Sequence, residues 1–265
     1  MTISVISDLH CRNKSFPPSF DPKKLEPADV LVVAGDLGTR PTYEKIEQKL
    51  KDETEGKFKS VFCIKGNHDY YATDPHWIKR QKVLGWPSDT ANKILLLDDD
   101  YAIVGTPLWS PIFDKVDRVK FGLNDYNYII SKAGDGTCAT VTPEHITETF
   151  WKNLQWLEDT VNELAHDRTV IVVTHHLPIP ELIEERFRGD AINEGFCVLE
   201  PKAVERIKAI KTRLWIHGHS HAFLDMTIDG IRYIRNPYGY EWISHDYGDS
   251  RREATGFVMN TIVEV

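Results

Sequence analysis

The sequence predicts an α/β fold with a largely parallel sheet. Short apolar runs are typical of strands buried on both faces, and amphipathic helical patterns lie between several of them. A chain of 265 residues is long enough to bury a sizeable core, as one domain or two. The predicted buried strands are Ile3–Ile6, Val30–Ala34, Val61–Ile64, Val170–Thr174 and Leu214–Ile216.

Three segments have the pattern of helices. Pro41–Glu55 places proline in the predicted first turn and repeats apolar residues at helical spacing. Thr142–Pro143 begins a longer helix, with threonine as the N-cap and proline at the first helical position. A third helix begins at Pro201.

Further strand-like segments predict a second sheet that is formed partly from them. Ile94–Leu97 and Tyr101–Gly105 lie close enough to form a hairpin. Leu224–Ile228 and Ile231–Ile234 flank an Asp-Gly turn, which is a strong hairpin signal, and Phe257–Val263 is strand-like. Residues 108–141 lack clear periodicity and are too long for a simple connection, so we expect a functional loop or cap.

Composition narrows the class of protein. The formal net charge is −8, which argues against a general nucleic-acid binder, since such proteins need a basic surface. The four cysteines form no Cys-x-x-Cys pair, and the chain enters a strand-like run at Thr2–Ser7 without a signal-peptide pattern. No apolar run approaches a membrane span. We therefore expect a cytoplasmic protein that does not act in a membrane.

Polar residues follow each of the five buried strands. Sites in open α/β sheets form at the carboxyl ends of the strands, so we expect these blocks to converge on one rim. The blocks are Asp8–His10, Gly35–Asp36, Gly66–Asp69, His175–His176 and His217–His221.

The residue types in these blocks indicate metal binding. Imidazole, carboxylate and amide groups without a thiolate suit Mn, Fe, Zn or Co. The number of candidate ligands exceeds four, so two ions account for them better than one tetrahedral ion. A carboxylate can bridge two metals about 3.5–4 Å apart, and such a pair generates hydroxide near neutral pH.

The order Asp-x-His, Gly-Asp, Gly-Asn-His-Asp, Thr-His-His-x-Pro, Gly-His-x-His resembles the calcineurin-like metallophosphoesterase superfamily, over roughly residues 4–240. Two further stretches, Gly105–Trp109 and Trp215–His217 leading into Asn236–Tyr240, resemble a bacterial-type branch. The resemblance implies a four-layer α/β/β/α sandwich of two mixed sheets flanked by helices. It implies one domain over residues 1–265, with a cap or insertion at about 107–141.

The resemblance also implies an assignment of roles. One metal is bound by Asp8, His10 and His221, and the other by Asn67, His175 and His219. Asp36 bridges the two, together with a hydroxide that attacks phosphorus. His68 is the general acid, and Asp69 is assigned to orient it. The implied cofactors are two divalent ions, Mn²⁺ and/or iron, with Zn²⁺ as an alternative. The implied activity is hydrolysis of phosphomonoesters or phosphodiesters.

Several assignments stay open at the level of sequence. His175 and His176 point in opposite directions from an extended segment, so only one can be the ligand and the other lines the pocket. A strictly extended strand would place His217, His219 and His221 on one face, where a different pair could bind. Further candidates for contact with substrate are Arg12, Arg40, Asn124, Asp125, His176 and His217.

Other functions fit the sequence less well. A metallo-β-lactamase-like enzyme has its dense histidine motif early in the chain, whereas the dense motif here is late. An amidohydrolase barrel has His-x-His after its first strand, whereas this chain has Asp-x-His there. A catalytically weak, partner-binding module on the same fold would be expected to have lost ligands, and all motif positions are filled. We expect a small phosphoester substrate; the sequence does not indicate an oligomeric state or choose between monoester and diester.

Overall fold

The computed structural model describes residues 1–12, 14–72, 91–132, 137–243, 250–252 and 256–265. Fourteen strands and five α-helices lie within these ranges. None of the helices in the described ranges has the length and hydropathy that a membrane span needs. All four cysteines are free thiols. The cytoplasmic location stays a prediction.

The first sheet has four strands in the order β14-β1-β2-β3. The three N-terminal strands run parallel, and β14 adds antiparallel to the edge at β1. Their bounds are Thr2–Ile6 (β1), Ala28–Ala34 (β2), Phe58–Ile64 (β3) and Ile262–Glu264 (β14). The predicted strand Phe257–Val263 is therefore mostly wrong, because ordered pairing begins only at Ile262.

The second sheet has six strands in the order β10-β11-β9-β8-β5-β4. Its four central strands are parallel, and both edges are the antiparallel hairpins predicted from the sequence. The bounds are Lys93–Leu97 (β4), Tyr101–Thr106 (β5), Thr169–Thr174 (β8), Leu214–Ile216 (β9), Leu224–Ile228 (β10) and Ile231–Arg235 (β11).

The two sheets pack face to face. One buried cluster combines side chains of both inner faces, including Val5 and Val32 from the first sheet and Ile171 and Ile216 from the second. Two other clusters cover the outer faces, one under the first helix and one under the longest helix. Because alternate strand residues point to opposite faces, each central strand contributes to an inner and an outer layer. The fold is thus the predicted sandwich of two mixed sheets flanked by helices.

The helices are Tyr43–Glu53 (α1), Val116–Gly122 (α2), Asp125–Tyr128 (α3), Pro143–Leu164 (α4) and Pro201–Lys208 (α5). The N-cap prediction for α4 is confirmed, since the Thr142 hydroxyl accepts a hydrogen bond from the His145 amide. The prediction for α1 is wrong at its start. Pro41 lies before the helix, in a turn closed by hydrogen bonds from the Thr42 and Tyr43 amides to the Thr39 carbonyl.

Residues 107–141, expected to form a cap, have more regular structure than their sequence suggests. They contain α2, α3 and a small hairpin of Ile130–Lys132 (β6) with Cys138–Thr140 (β7). Residues 133–136 lie outside the described residues. The small hairpin of Glu241–Ile243 (β12) with Ser250–Arg252 (β13) lies near the C-terminus.

Candidate metal centre

The five polar blocks come together at the carboxyl ends of strands, but these strands belong to two sheets. Three blocks follow β1, β2 and β3 of the first sheet, and two follow β8 and β9 of the second. The expectation of one rim is therefore corrected. Because the sheets are packed face to face with their parallel strands ending at the same side, loops from both can reach a common space.

Four of the predicted site residues have left-handed backbone conformations, with φ of 54° at Asp8, 46° at His10, 53° at Asp36 and 70° at His219. Such a conformation costs a non-glycine residue about 1–3 kcal/mol and is found where function requires a sharp change of direction. The bend at His219 also shows that residues 217–221 are not an extended strand.

A first group of donor atoms is formed by Asp8, His10 and His221. The Nε2 atoms of His10 and His221 are 3.1 Å apart, and Nε2 of His221 is 3.5 Å from Oδ1 of Asp8. The Asp8 carboxylate also accepts from the His219 amide, at 3.1 and 3.2 Å to its two oxygens, which fixes the carboxylate against the late histidine motif.

A second group is formed by Asp36, His175 and His219, with the amide of Asn67 beside them. Nε2 of His175 lies 3.4 Å from Oδ1 of Asp36 and 3.1 Å from Oδ1 of Asn67. Nε2 of His219 faces the Gly195 carbonyl at 3.4 Å.

The Asp36 carboxylate lies between the two groups. Its Oδ1 is the atom near His175, and its Oδ2 is 3.8 Å from Nε2 of His10. The side chain is almost fully buried, and His10, Asp36 and His68 form a further group of donor atoms within 4.8 Å of one another. Nitrogen and oxygen donors that face one another around a shared buried carboxylate have the chemistry of two adjacent cation sites.

Hydrogen bonds outside the cluster orient two of these donors. Nδ1 of His175 donates to the Ala34 carbonyl at 2.9 Å, so Nε2 is the ring nitrogen that faces Asp36. The Asn67 amide nitrogen donates to Asp125 at 2.7 Å, which turns the Asn67 oxygen toward His175. Asp125 is held in turn by the Tyr71 hydroxyl at 2.6 Å.

Electrostatics favour the neutral imidazole form of two of these histidines, His10 and His219. Burial and the neighbouring His68 hold the pKa of His10 well below its usual value, and burial with His176 does the same to the pKa of His219. A neutral ring is the form that binds a cation. His175 differs: burial opposes its charge, but the Asp36 carboxylate raises the pKa of His175 to about 9.

Close approach of the backbone explains two glycines. A Cβ on Gly66 would lie 2.2 Å from Oδ1 of Asp36 and 2.6 Å from the His175 ring. A Cβ on Gly218 would lie 2.8 Å from the Asp8 carboxylate. Any side chain at these positions would displace the donor atoms.

His68 lies at the edge of the cluster, half-buried and stacked on Tyr71 with ring centres 4.2 Å apart. Its Nε2 is 3.0 Å from the Tyr240 hydroxyl, and the Tyr240 ring also packs on His10 at 4.2 Å. The amide of His68 donates to Oδ1 of Asp36 at 2.9 Å, so the backbone of His68 is tied to the shared carboxylate.

The role expected for Asp69 is corrected. Its buried carboxylate accepts hydrogen bonds from the amides of Gly38 at 2.7 Å and Gly66 at 2.8 Å, rather than from the His68 ring. Burial and the nearby Asp36 raise the pKa of Asp69 to about 7. Asp69 therefore joins the loops after β2 and β3, and this connection positions Gly66 beside the donors.

Only some of the residues predicted to contact substrate line the cavity beside the donor cluster. Arg12 is exposed, and the Arg40 guanidinium donates to the Ile130 carbonyl at 3.0 Å; neither lines the cavity beside the donor cluster. Asn124 and Asp125 do line it.

His176 and His217 are buried outside this cavity. His176 packs between Trp109 and His219, and Nδ1 of His217 lies 3.3 Å from the Gly218 carbonyl. His176 therefore packs on a donor residue, and His217 lies in the protein interior beside Gly218. The three histidines of the late motif thus diverge, with His219 in one donor group and His221 in the other.

The sequence also matches a family model for calcineurin-like phosphoesterases over residues 1–223. The chain belongs to the calcineurin-like phosphoesterase family. It is an enzyme of the phosphoester hydrolase class, as its motifs predict. No curated protein gives a significant sequence match.

Solved structures of this family's fold resemble the chain. The phosphopantetheinyl hydrolase of Mycobacterium tuberculosis aligns with a TM-score of 0.58 and 17% identity, over 90% of this chain and 89% of that one. GAP50, the anchor in the inner membrane complex of Plasmodium, aligns with a TM-score of 0.45 and 12% identity, over 89% and 70% of the respective chains.

The site of this calcineurin-like phosphoesterase includes residues that sequence reasoning missed. Tyr240 belongs to a motif noticed in the sequence, but its contact with His68 joins residues 172 positions apart. Residues 183–196 carry no motif, yet several of them line a cavity of about 330 Å³ that opens beside Asp36, His68 and His219. No local signal in the sequence could identify them, because they reach the site only through the packing of distant segments.

Proposed function

We propose that this protein is a binuclear metal-dependent phosphoesterase. The observation that carries the proposal is that Asp36 lies between two groups of donor atoms. Asp8, His10 and His221 would hold one cation, and Asn67, His175 and His219 the other, with Asp36 binding both. The nitrogen and oxygen donors suit Mn²⁺ and iron, and Zn²⁺ is compatible with the same set.

When bound, two such cations supply an acidified water and positive charge for the phosphate oxygens. The chain's own groups supply the rest of the chemistry. His68 lies beside the donors at the cavity wall, where it can give a proton to the departing oxygen of the ester. Tyr240 fixes the His68 ring through the contact of its hydroxyl with Nε2, and Tyr240 itself also lines the cavity.

The proposal takes residues 1–265 as one catalytic domain. Strands from both ends of the chain support this, since Ile3 and Val263 lie in the same inner core as Ile171. Residues 107–141 supply Asp125 and part of the cavity wall, so the predicted cap contributes to the site itself.

The test combines metal content with hydrolysis of a chromogenic phosphate ester, with and without added Mn²⁺ and chelator. Asp36→Asn should lower the metal content below two ions per chain and reduce turnover by several orders of magnitude. Asp52→Asn, on the outside of α1, is the control and should match the unaltered protein. A protein that binds two ions and hydrolyses no monoester or diester would instead be the partner-binding module.

A further inference from the structure

The cavity beside the donor cluster continues into a surface that we call the apolar wall. It consists of Leu123, Leu177, Ile183, Phe187, Ile192 and Phe196. Metal donors and His68 line the same cavity as the apolar wall, together with polar side chains such as Asn193 and Ser220. A phosphate held by the donors would therefore direct its leaving group along this wall.

The wall is a packed structure made by two distant parts of the chain. A Cβ on Gly195 would lie 2.3 Å from Cδ1 of Leu123, and a Cβ on Gly122 would lie 3.1 Å from Cγ2 of Ile192. Residues 122–123 of the cap thus contact residues 192–195 directly. Such close contact gives one continuous apolar surface.

The charges near the wall do not favour an anionic leaving group. Arg186 is the cationic residue among the described lining residues, and its Nε donates to Glu184 at 2.9 Å. Glu184 also accepts from the Ser220 hydroxyl at 2.6 Å, which fixes it beside the late histidine motif. Asp190 adds a second negative charge. The paired guanidinium leaves no surplus of positive charge for further phosphates.

We propose that the site hydrolyses small phosphate esters whose leaving group is uncharged and largely apolar; this inference rests on the proposed phosphoesterase function. The volume of about 330 Å³ is near the lower end of the range for small-molecule pockets, which suits a short chain or single ring. In the reaction, the oxygen of water bonds to phosphorus, the P–O bond to the leaving group breaks, and His68 protonates the departing oxygen. The products are phosphate and an apolar alcohol.

Alkyl phosphates from ethyl to hexyl test this inference, because their leaving groups differ in apolar area but little in intrinsic reactivity. We expect kcat/KM to rise about fourfold for each methylene that the wall covers. The kcat/KM of the hexyl ester should also exceed that of an ester of equal length that ends in a carboxylate by about tenfold or more. The carboxylate would lose its hydration in the cavity without gaining a cationic or hydrogen-bonding partner.

Binding gives a second measurement that does not depend on turnover. Alkyl phosphonates of the same chain lengths cannot be hydrolysed at a P–O–C bond, and calorimetry should show their affinity rising with chain length. Phe187→Ser should reduce the dependence on chain length of both the kcat/KM of the alkyl phosphates and the affinity of the alkyl phosphonates. Phe113→Ser is the matched control, because Phe113 and Phe187 are 47% and 43% exposed but only Phe187 lines the cavity.

The outcomes separate the two proposals. An enzyme that cleaves all the alkyl esters equally, or prefers the carboxylate-bearing ester, overturns the apolar leaving group and leaves the phosphoesterase intact. A metal-loaded protein that cleaves neither these alkyl esters nor any chromogenic monoester or diester overturns the phosphoesterase, and the phosphonate series then still decides whether the wall selects apolar groups. A protein that cleaves a chromogenic ester but none of the alkyl esters overturns the apolar leaving group alone.

Discussion

Replacing Asp125 with alanine should weaken one metal site and spare the other. The Asp125 carboxylate accepts from the Asn67 amide nitrogen at 2.7 Å and from the Tyr71 hydroxyl at 2.6 Å. Without it, the Asn67 amide is free to rotate its oxygen away from His175. Loss of such an orienting contact typically costs 10–100-fold in metal affinity, or about 1.4–2.7 kcal/mol.

Calorimetric titration of metal-free protein with Mn²⁺, together with elemental analysis, measures this loss. We expect one of two binding steps to weaken 10–100-fold in Asp125→Ala while the other is unchanged. Tyr71→Phe is the control, because it removes one donor to Asp125 and keeps both the ring on His68 and the bond from Asn67. Equal weakening of both steps, or intact metal binding with a raised KM, would refute this role and make Asp125 a substrate contact.

Three further changes test the geometry of the cluster. Gly66→Ala should empty the metal sites while the protein stays folded, because the added Cβ would lie 2.2 Å from the Asp36 carboxylate. The control is Gly56→Ala, where φ is 78° and the surrounding space is open; it should cost about 1 kcal/mol of stability and keep both metals. His68→Ala should lower kcat about 10²–10⁴-fold with metal content intact; loss of metal would make His68 a ligand. Tyr240→Phe should lower kcat by about tenfold, less than His68→Ala, with unchanged metal affinity. An unchanged kcat would mean that the contact at 3.0 Å does not position His68.

The donor cluster shows how a rigid sandwich positions residues that are far apart in sequence. Asp69 joins the loops after β2 and β3, and the Asp8 carboxylate joins the end of β1 to the loop after β9. These bonds cross between loops rather than along strands. The relative positions of the donors therefore depend on buried contacts among the protein's own groups, and such contacts give the preorganisation that a catalytic site requires.

Residues 107–141 contribute two contacts to the site. Asp125 from α3 orients Asn67, and Leu123 packs on Gly195 to close the apolar wall. Helix α2 and the segment around residue 195 have no apolar periodicity long enough to predict them. Their short elements are stabilised by contacts with each other, so local sequence could identify this region only as an insertion.

The sequence by itself determined which residues could carry the chemistry and where the central strands end. An apolar run followed by Asp, Asn or His fixes both the buried strand and the polar group beyond it, because burial and chain direction are local properties. The Thr142–Pro143 start of α4 and the Asp-Gly hairpin were predicted for the same reason: a single turn or cap determines each.

Only the tertiary structure decided how these groups meet. The division of the strands between two sheets, the bond of Asp69 to backbone amides, and the approach of Tyr240 to His68 all depend on contacts between distant segments. Such contacts are set by packing of the whole chain and leave no periodic signal in the sequence. The start of α1 after Pro41 shows the same limit, since a turn around Thr39 displaced a helix that local propensity favoured.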